Sequence, residues 1–490
     1  MKIFQGLFFD ISQKRPFYKS DFVVTKPNKV ISTSFYLYFA CLANAIAFGS
    51  LSGILTSGQI GVIEMLYATA IGGIIYSLLS AQPLILLGGT GPIVVFTALL
   101  LVTCNFYNLN FLHVYAWTGL WTGIILVIAS ITNASNLMRF FSRFVDDIFA
   151  ALVSVIFIIE AFKNLMHGFH GFGYLNNLPG ITGLFLAIGT FTLAVIFRKC
   201  VDFTPNRSLL LKSIADFAPS LSIILMTIIF ILLPEIKIEA PELPSTNNLT
   251  TSGRPWLLDI WSISTSIKLL TIIPAFFAAV LLYLDQNITC HIINESEVPL
   301  KKGHGYHLDL LLVGLMTIGF SCFGLPWIVA ATVHSVNHLK GLTETAEDNN
   351  LKPIYVEENR ISALVIHLGI GISIFGLSYI ALIPMPVLFG LFIYMGFIAL
   401  QGNPFFFRSL YLLIPFFSKF CRKSDMLASI KGQRVFTFIQ LTCFFILWVI
   451  KSSILGILFP IFIALCVPIR LILKNFISNK DLKYLDNLKN

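Results

Sequence analysis

The sequence predicts an all-α integral membrane protein of about fourteen transmembrane helices in two inverted seven-helix repeats, and three observations carry that expectation. Its 490 residues are 56% hydrophobic and only 12% charged, against roughly 25% charged in soluble domains. The apolar residues gather into runs of about 20, the length that crosses roughly 30 Å of hydrocarbon as a helix. Two of the runs are broken by glycine and proline at matching places in the two halves. Backbone amides in lipid must be satisfied within the segment, which selects helices, and the ten-residue alternation of a membrane barrel is not seen.

The elements follow in order. Residues 1–29 carry Lys2, Lys14, Arg15, Lys19, Lys26 and Lys29 with no small-residue cleavage site, and read as a retained cytoplasmic segment. Between charged breaks, apolar spans lie near 30–55, 60–80, 84–104, 112–132, 145–166, 180–197 and 215–233 in the first half. In the second they lie near 264–292, 308–323, 325–339, 361–380, 384–400, 434–450 and 454–474. With an inside N-terminus and alternating sides, every Lys and Arg falls inside except Lys163, Lys237, Arg254, Lys268 and Lys451, as the positive-inside rule requires. The polar stretch from Pro234 to about Ser262 then lies outside, where Asn248 opens an Asn-Leu-Thr glycosylation sequon. Residues 476–490 form a cytoplasmic tail, and a plasma or bacterial inner membrane suits both inside termini.

The halves correspond at an offset of about 235 residues, and an odd number of spans per half inverts the second, as in many secondary transporters. The same offset brings Pro92, in Gly88-Gly89-Thr90-Gly91-Pro92, onto Pro326, in Gly324-Leu325-Pro326-Trp327. Too few helical residues follow each proline to cross the bilayer, so both segments are expected to be half-helices beginning near the midplane after the proline, with Thr90 capping the first. Two such N-termini present free N–H groups and about half a positive charge each, a receptive place for an anion. The alternative is a pair of proline kinks in ordinary spans.

Asp285 follows the apolar run Pro274–Leu284 and precedes Gln286, Asn287 and Thr289. A carboxylate there is costly and marks a functional position, unless it reaches cytoplasmic water. His334 and His338 stand at i, i+4, a zinc-compatible spacing without the glutamate of a metalloprotease, and no metal is expected. A proton-responsive His334 and one simply hydrogen-bonded to a neighbouring helix are equally open. Asp146 and Asp147 beside Arg143, and Glu160 beside Lys163, are expected to be local ion pairs, while Glu64 and Asp216 also fall at spans. The eight cysteines are scattered without CxxC spacing, against a disulfide scaffold or structural zinc.

The net charge of +9 belongs to span ends, not to a nucleic-acid-binding domain. No GxSxG, GxxxxGK[ST] or HExxH motif occurs, so no enzyme activity and no cofactor are expected. A channel is the other class, but filters and acid rings are lacking.

At these residues the chain resembles the bicarbonate-transporter (anion-exchanger) family over nearly its whole length. The resemblance is carried by KRPFYKSDF (14–22), AQPLILLGGTGPIVVF (81–96), RFVDDIFAALVSVIFIIEAF (143–162), YLDQNIT (283–289), LKKGHGYHLDLLLVG (300–314), GLPWIVAATVHSVNH (324–338) and IPMPVLFGLFIYMG (383–396). It implies a transmembrane domain over 30–475, with a core (30–132 and 264–380) rocking against a gate (143–233 and 384–474), and homodimers in the bilayer joined through the gate. Carried over residue by residue, the anion site falls on Thr90, Gly91, Pro92, Thr289, Ala330, Ala331 and Thr332, and the coupling-ion site on Asp285 and His334.

The departures sit at coupling positions. Thr97 replaces the family's usual acid, and Ala47 a common threonine. His334 stands where chloride exchangers have arginine and sodium-coupled members an apolar residue. That histidine, with IAFGS (46–50) and VYAWTGLW (114–121), is similar to the borate or proton-conducting branch. Nothing in these residues resembles the large soluble N-terminal domain of animal members. The expected activity is secondary active transport of bicarbonate or a related small inorganic anion, coupled to Na⁺ or H⁺. The alternatives within the fold are borate or H⁺/OH⁻ transport and chloride/bicarbonate exchange.

Overall fold

The computed structural model describes residues 3–140, 143–167, 178–200, 214–215, 217–233, 238, 250–294, 300–301, 303, 305–345, 353–413, 427–453 and 459–486. Asn248 and Asp216 lie outside the described residues.

A short helix α1 (Gln5–Lys14) precedes the long α2 (Pro27–Leu55) and α3 (Val62–Leu79). An extended stretch with strand β1 (Leu87–Gly88) leads into α4 (Gly91–Phe106), followed by α5 (Phe111–Ile131), α6 (Arg143–His167), α7 (Leu178–Lys199) and α8 (Ala218–Leu232). Then come α9 (Thr265–Leu270), α10 (Ile272–Asn294) and α11 (His307–Phe323), strand β2 (Val329–Ala330) and α12 (Thr332–Leu342). Strands β3 (Thr343–Thr345) and β4 (Pro353–Val356) form a hairpin before α13 (Ile361–Ser373), α14 (Leu377–Ile380) and α15 (Met385–Gln401). The chain closes with α16 (Pro404–Leu413), α17 (Ile430–Lys451), α18 (Phe459–Ile472) and α19 (Asn479–Asp486). Among the described residues, seven helices are long and apolar enough to cross a membrane, or eight if the pair α15 and α16, bent by 73°, is one span.

The chain divides into two compact units, Met1–Asn136 with His170–Leu391, and Leu137–Phe169 with Phe392–Asn490. In the first unit α5 and α11 cross where Gly123 faces Gly314. A Cβ on Gly123 would lie 2.6 Å from the Gly314 carbonyl, so only glycine permits this approach. One turn away, Gly119 leaves room for Ser321 and Trp327. Trp327 stacks on Tyr115 at 4.5 Å and donates from Nε1 to Ser321 Oγ at 2.9 Å. The Tyr115 hydroxyl donates to the Leu325 carbonyl at 3.0 Å, so the chain leaving α11 is pinned to α5 before it extends. Gly324 permits that exit by adopting φ +61° at the helix end.

Several helix starts are capped from far away in the sequence. Asp10 Oδ2 accepts from the amides of Tyr306, His307 and Leu308 at 2.7–3.0 Å, closing the N-terminus of α11. Burial raises the Asp10 carboxyl above its usual range against the pull of those amides, and burial likewise lowers the Lys14 ammonium. Arg360 ties Asp21 (3.0 Å) to the carbonyl end of α3 through Ser77 and Ser80.

Among the described residues of the second unit, Asp147 pairs with Arg408 at 3.3 Å and Glu160 with Lys451 at 3.3 Å, partners far in sequence from the expected Arg143 and Lys163. Tertiary partners replaced the sequence neighbours because both carboxylates face the helices packed on α6. The tail contains helix α19, whose Asp486 meets Arg470 at 2.6 Å and the Phe144 amide at 2.9 Å.

Candidate functional site

The centre of the first unit is a meeting of two extended stretches. β1 pairs antiparallel with β2, Leu87 opposite Ala330 and Gly88 opposite Val329. Ala331 N–H donates to the Leu86 carbonyl at 2.8 Å. The fold is therefore not purely helical here, and two corrections follow. The second half-helix begins at Thr332, not after Pro326, because Pro326 to Ala331 are drawn out to make this ladder. Thr90 holds the N-cap position of α4 by backbone only. Its hydroxyl instead donates to Asp285 Oδ2 at 2.8 Å.

From this ladder α4 and α12 run 16 and 11 residues, about 24 and 16 Å, short of a roughly 30 Å core. Pro92 occupies the first turn of α4, where its missing N–H leaves nothing unmade. The remaining first-turn amides of both helices have no intrahelical partner.

Helix α10 lies against the ladder and supplies the polar side chains. Gln286 Oε1 accepts from the Ala330 amide at 2.9 Å, and its Nε2 donates to the Tyr76 hydroxyl at 3.1 Å. Thr289 Oγ1 and Thr332 Oγ1 are 2.6 Å apart, and Thr289 also donates to the Asp285 carbonyl at 3.0 Å. Asp285 is buried, and no Lys, Arg or His lies within ion-pair distance among the described residues. Among the described residues its only side-chain partner is the neutral Thr90. A small cavity of about 10 Å³ opens beside Gly89, Thr90, Thr97 and Trp327, room for a single water.

Of the residues singled out by sequence, the structure gathers Thr90, Gly91, Pro92, Asp285, Thr289, Ala330, Ala331 and Thr332 around one ladder. It leaves His334 outside that hydrogen-bonded set. The His334 Nε2 lies 3.3 Å from the Ala40 carbonyl on α2. His338 is held between the Leu84 carbonyl (2.8 Å) and Ser362 Oγ (2.7 Å), so it fixes the stretch before β1.

Sequence reasoning passed over Gln286 as more than a neighbour and missed Asn44, while Ser335 is legible as a cavity residue beside Thr332. Asn44 Nδ2 donates to the Gly89 carbonyl at 3.3 Å, while its Oδ1 is buried without a partner. Ser335 Oγ accepts from the Leu86 amide at 3.0 Å. A polar residue inside a long apolar run was the available signal for Asn44.

Apolar helices of membrane-crossing length around two broken segments that meet in one ladder define an integral membrane fold. The chain belongs to the family of the HCO₃⁻ transporter integral membrane domain, whose model matches residues 2–183 and 180–490. It is 33% identical to sodium bicarbonate cotransporter 3 of Rattus norvegicus, over 99% of this chain and 46% of that protein. It is 34% identical to electroneutral sodium bicarbonate exchanger 1 of Homo sapiens, over 99% of this chain and 51% of that protein. The chain thus spans about half the length of these curated relatives. Its fold is similar to the transmembrane domain of a cyanobacterium bicarbonate transporter, BicA, at TM-score 0.61 and 16% identity, covering 88% of this chain and 96% of that one.

Proposed function

We propose that the protein is a secondary active transporter of bicarbonate or a closely related small inorganic anion, coupled to Na⁺ or H⁺ and working by alternating access. The observation that carries this is the Asp285 carboxylate, buried beside two helix N-termini with Thr90 as its only side-chain partner among the described residues. The helix starts favour an anion and the carboxylate opposes it, so a cation beside Asp285 resolves the conflict. Na⁺ or a proton does this, and anion and cation then bind as one nearly neutral load. The Thr90, Thr289 and Thr332 hydroxyls offer oxygen ligands and donors to that load.

The matched relatives, named for sodium and bicarbonate, support this substrate pair. The fourteen-span count, the inverted repeat and the core and gate boundaries belong to the same proposal, as do the homodimer and the inside termini. His334 is proposed as the second coupling group, an imidazole that makes flux depend on pH across the range in which it titrates.

The test is uptake into proteoliposomes of the full chain, with Na⁺, Cl⁻ and pH gradients imposed one at a time. Bicarbonate uptake that saturates and follows an imposed Na⁺ or pH gradient in chloride-free vesicles is the expected result. Flux that needs trans chloride, ignores both cation gradients and is unchanged in His334→Leu overturns the cation-coupled reading.

A further inference from the structure

We propose that the lateral groove between α3 and α11 is a phospholipid site, in which an acyl chain lies along the groove and the headgroup phosphate meets the Arg254 guanidinium. The groove encloses about 790 Å³, within the roughly 300–1,000 Å³ of small-molecule sites. One wall is the stripe Tyr67, Ile71, Ile75 and Leu79 on α3, four residues apart and about 18 Å from end to end at 1.5 Å per residue. The facing wall on α11 is Leu312, Leu315, Met316, Phe320 and Phe323. Neither wall carries a charged side chain.

Between these walls Gly319 supplies the width. A Cβ placed on it would meet nothing within 4 Å, whereas Gly314, on the same helix, is pressed against α5. Ile71, Leu79, Leu315 and Phe323 are each between 42% and 54% exposed, so the groove opens sideways toward bilayer and not into the protein. Its occupant is therefore apolar, long and supplied from the membrane.

One end of the groove is polar, and this selects the class of lipid. Trp256 closes it by packing edge-on against Tyr67 at 4.9 Å. From the same loop, Arg254 donates to the carbonyls of Phe323 (3.2 Å), Gly324 (3.0 Å) and Trp256 (3.4 Å), the residues that frame that end. All of these partners are uncharged, and Arg254 Nε is buried without one. Glu64, whose field reaches Arg254, spends its oxygens on the Gly61 amide and on the amide and hydroxyl of Thr251. No carboxylate lies within ion-pair distance of Arg254 among the described residues.

A guanidinium without a counter-ion at the mouth of an apolar slot calls for an anion carrying a hydrocarbon chain. The depth agrees. On α9, the helix that follows this loop, Lys268 lies over the rings of Trp117 and Trp261 at 5.4 and 5.0 Å, the aromatic and basic pairing of a headgroup layer. A sterol has no phosphate to offer, and a free anion leaves the slot empty.

The experiment uses the full chain in nanodiscs containing phosphatidylglycerol with a photoactivatable diazirine in its acyl chain, labelled peptides being mapped by mass spectrometry. Labelling is expected to concentrate between Tyr67 and Leu79 and between Leu312 and Phe323, and to fall about tenfold there in Gly319→Phe, with α17 unaffected. Gly319→Leu serves as a second, smaller obstruction, and thermal melting checks that both variants fold. Arg254→Gln is expected to abolish the preference for the phosphatidylglycerol probe over a diacylglycerol probe bearing the same chain. Labelling spread evenly over the lipid-facing helices, no change on filling Gly319, competition by cholesterol alone, or an unchanged headgroup preference in Arg254→Gln would each overturn the proposal.

Discussion

At the residue scale Asp285 and Thr90 form a contact whose partners are 195 positions apart. Thr90 stabilises the carboxylate by one hydrogen bond and brings no charge, so in the proposed mechanism neutralisation falls to a mobile ion. Asp285→Asn is therefore expected to keep the Thr90 contact, melt like the wild type, and lose uptake driven by Na⁺ or pH gradients. Wild-type coupled flux from a well-folded Asn variant would contradict it. Gly91 and Ala331 sit at the first turns of the two half-helices, where a larger side chain occupies the space before the free amides. Gly91→Leu and Ala331→Leu are expected to block transport without lowering the amount of folded protein, and unchanged anion affinity in both would separate the site from these helix starts. His334 behaves otherwise: its i, i+4 spacing from His338 drew attention in the sequence, yet each ring is bound to a different carbonyl.

At the scale of elements, several spans were legible because apolar runs of bilayer length leave the chain little else to form, and the helices Val62–Leu79 and Phe111–Ile131 fall within a few residues of the expected 60–80 and 112–132. The two interrupted segments were also legible, through Gly89, Pro92 and Pro326. What the sequence hid was pairing across the fold. No local pattern tells that the chain after Pro326 stays extended into the strand Val329–Ala330, because Leu87–Gly88 supplies its partner, nor that Asp147 reaches Arg408. The terminal helices were hidden too, being short and polar until docked.

Two element-scale tests follow. Gly123→Val forces α5 from α11 and is expected to destabilise the protein by about 1–3 kcal/mol, seen as a lower melting temperature in detergent or nanodiscs. The caps from α1 and α19 respond to acid in opposite senses. Asp10 is raised in the folded state, so its contribution is fully present below the ordinary carboxylate range and is lost as pH rises through its folded value. Asp481 is lowered by the Ser429 hydroxyl and amide, so its contribution is present at neutral pH and is lost as pH falls. Melting temperature measured from pH 2 to pH 7 should lose part of its decline with rising pH in Asp10→Asn and part of its acid decline in Asp481→Asn. Identical slopes in wild type and both variants would show that neither cap titrates this way.

For the whole molecule, the proposed dimer predicts that native mass spectrometry from nanodiscs finds a species of twice the chain mass. A monomer that transports at the full rate would remove the dimer from the account. The order of synthesis is constrained as well. Leu87 leaves the ribosome roughly 240 residues before Ala330, which at about 5–20 residues per second is some ten to fifty seconds. For that interval the stretch before α4 has carbonyls and amides without their final partners in a region where water is scarce. The two halves of the ladder thus make the nascent chain dependent on whatever shelters its first half, the insertion machinery or its lipid-side attendants, until the second half arrives. A truncation that stops before Val329 should accumulate as a substrate for membrane quality control, however well its individual helices insert.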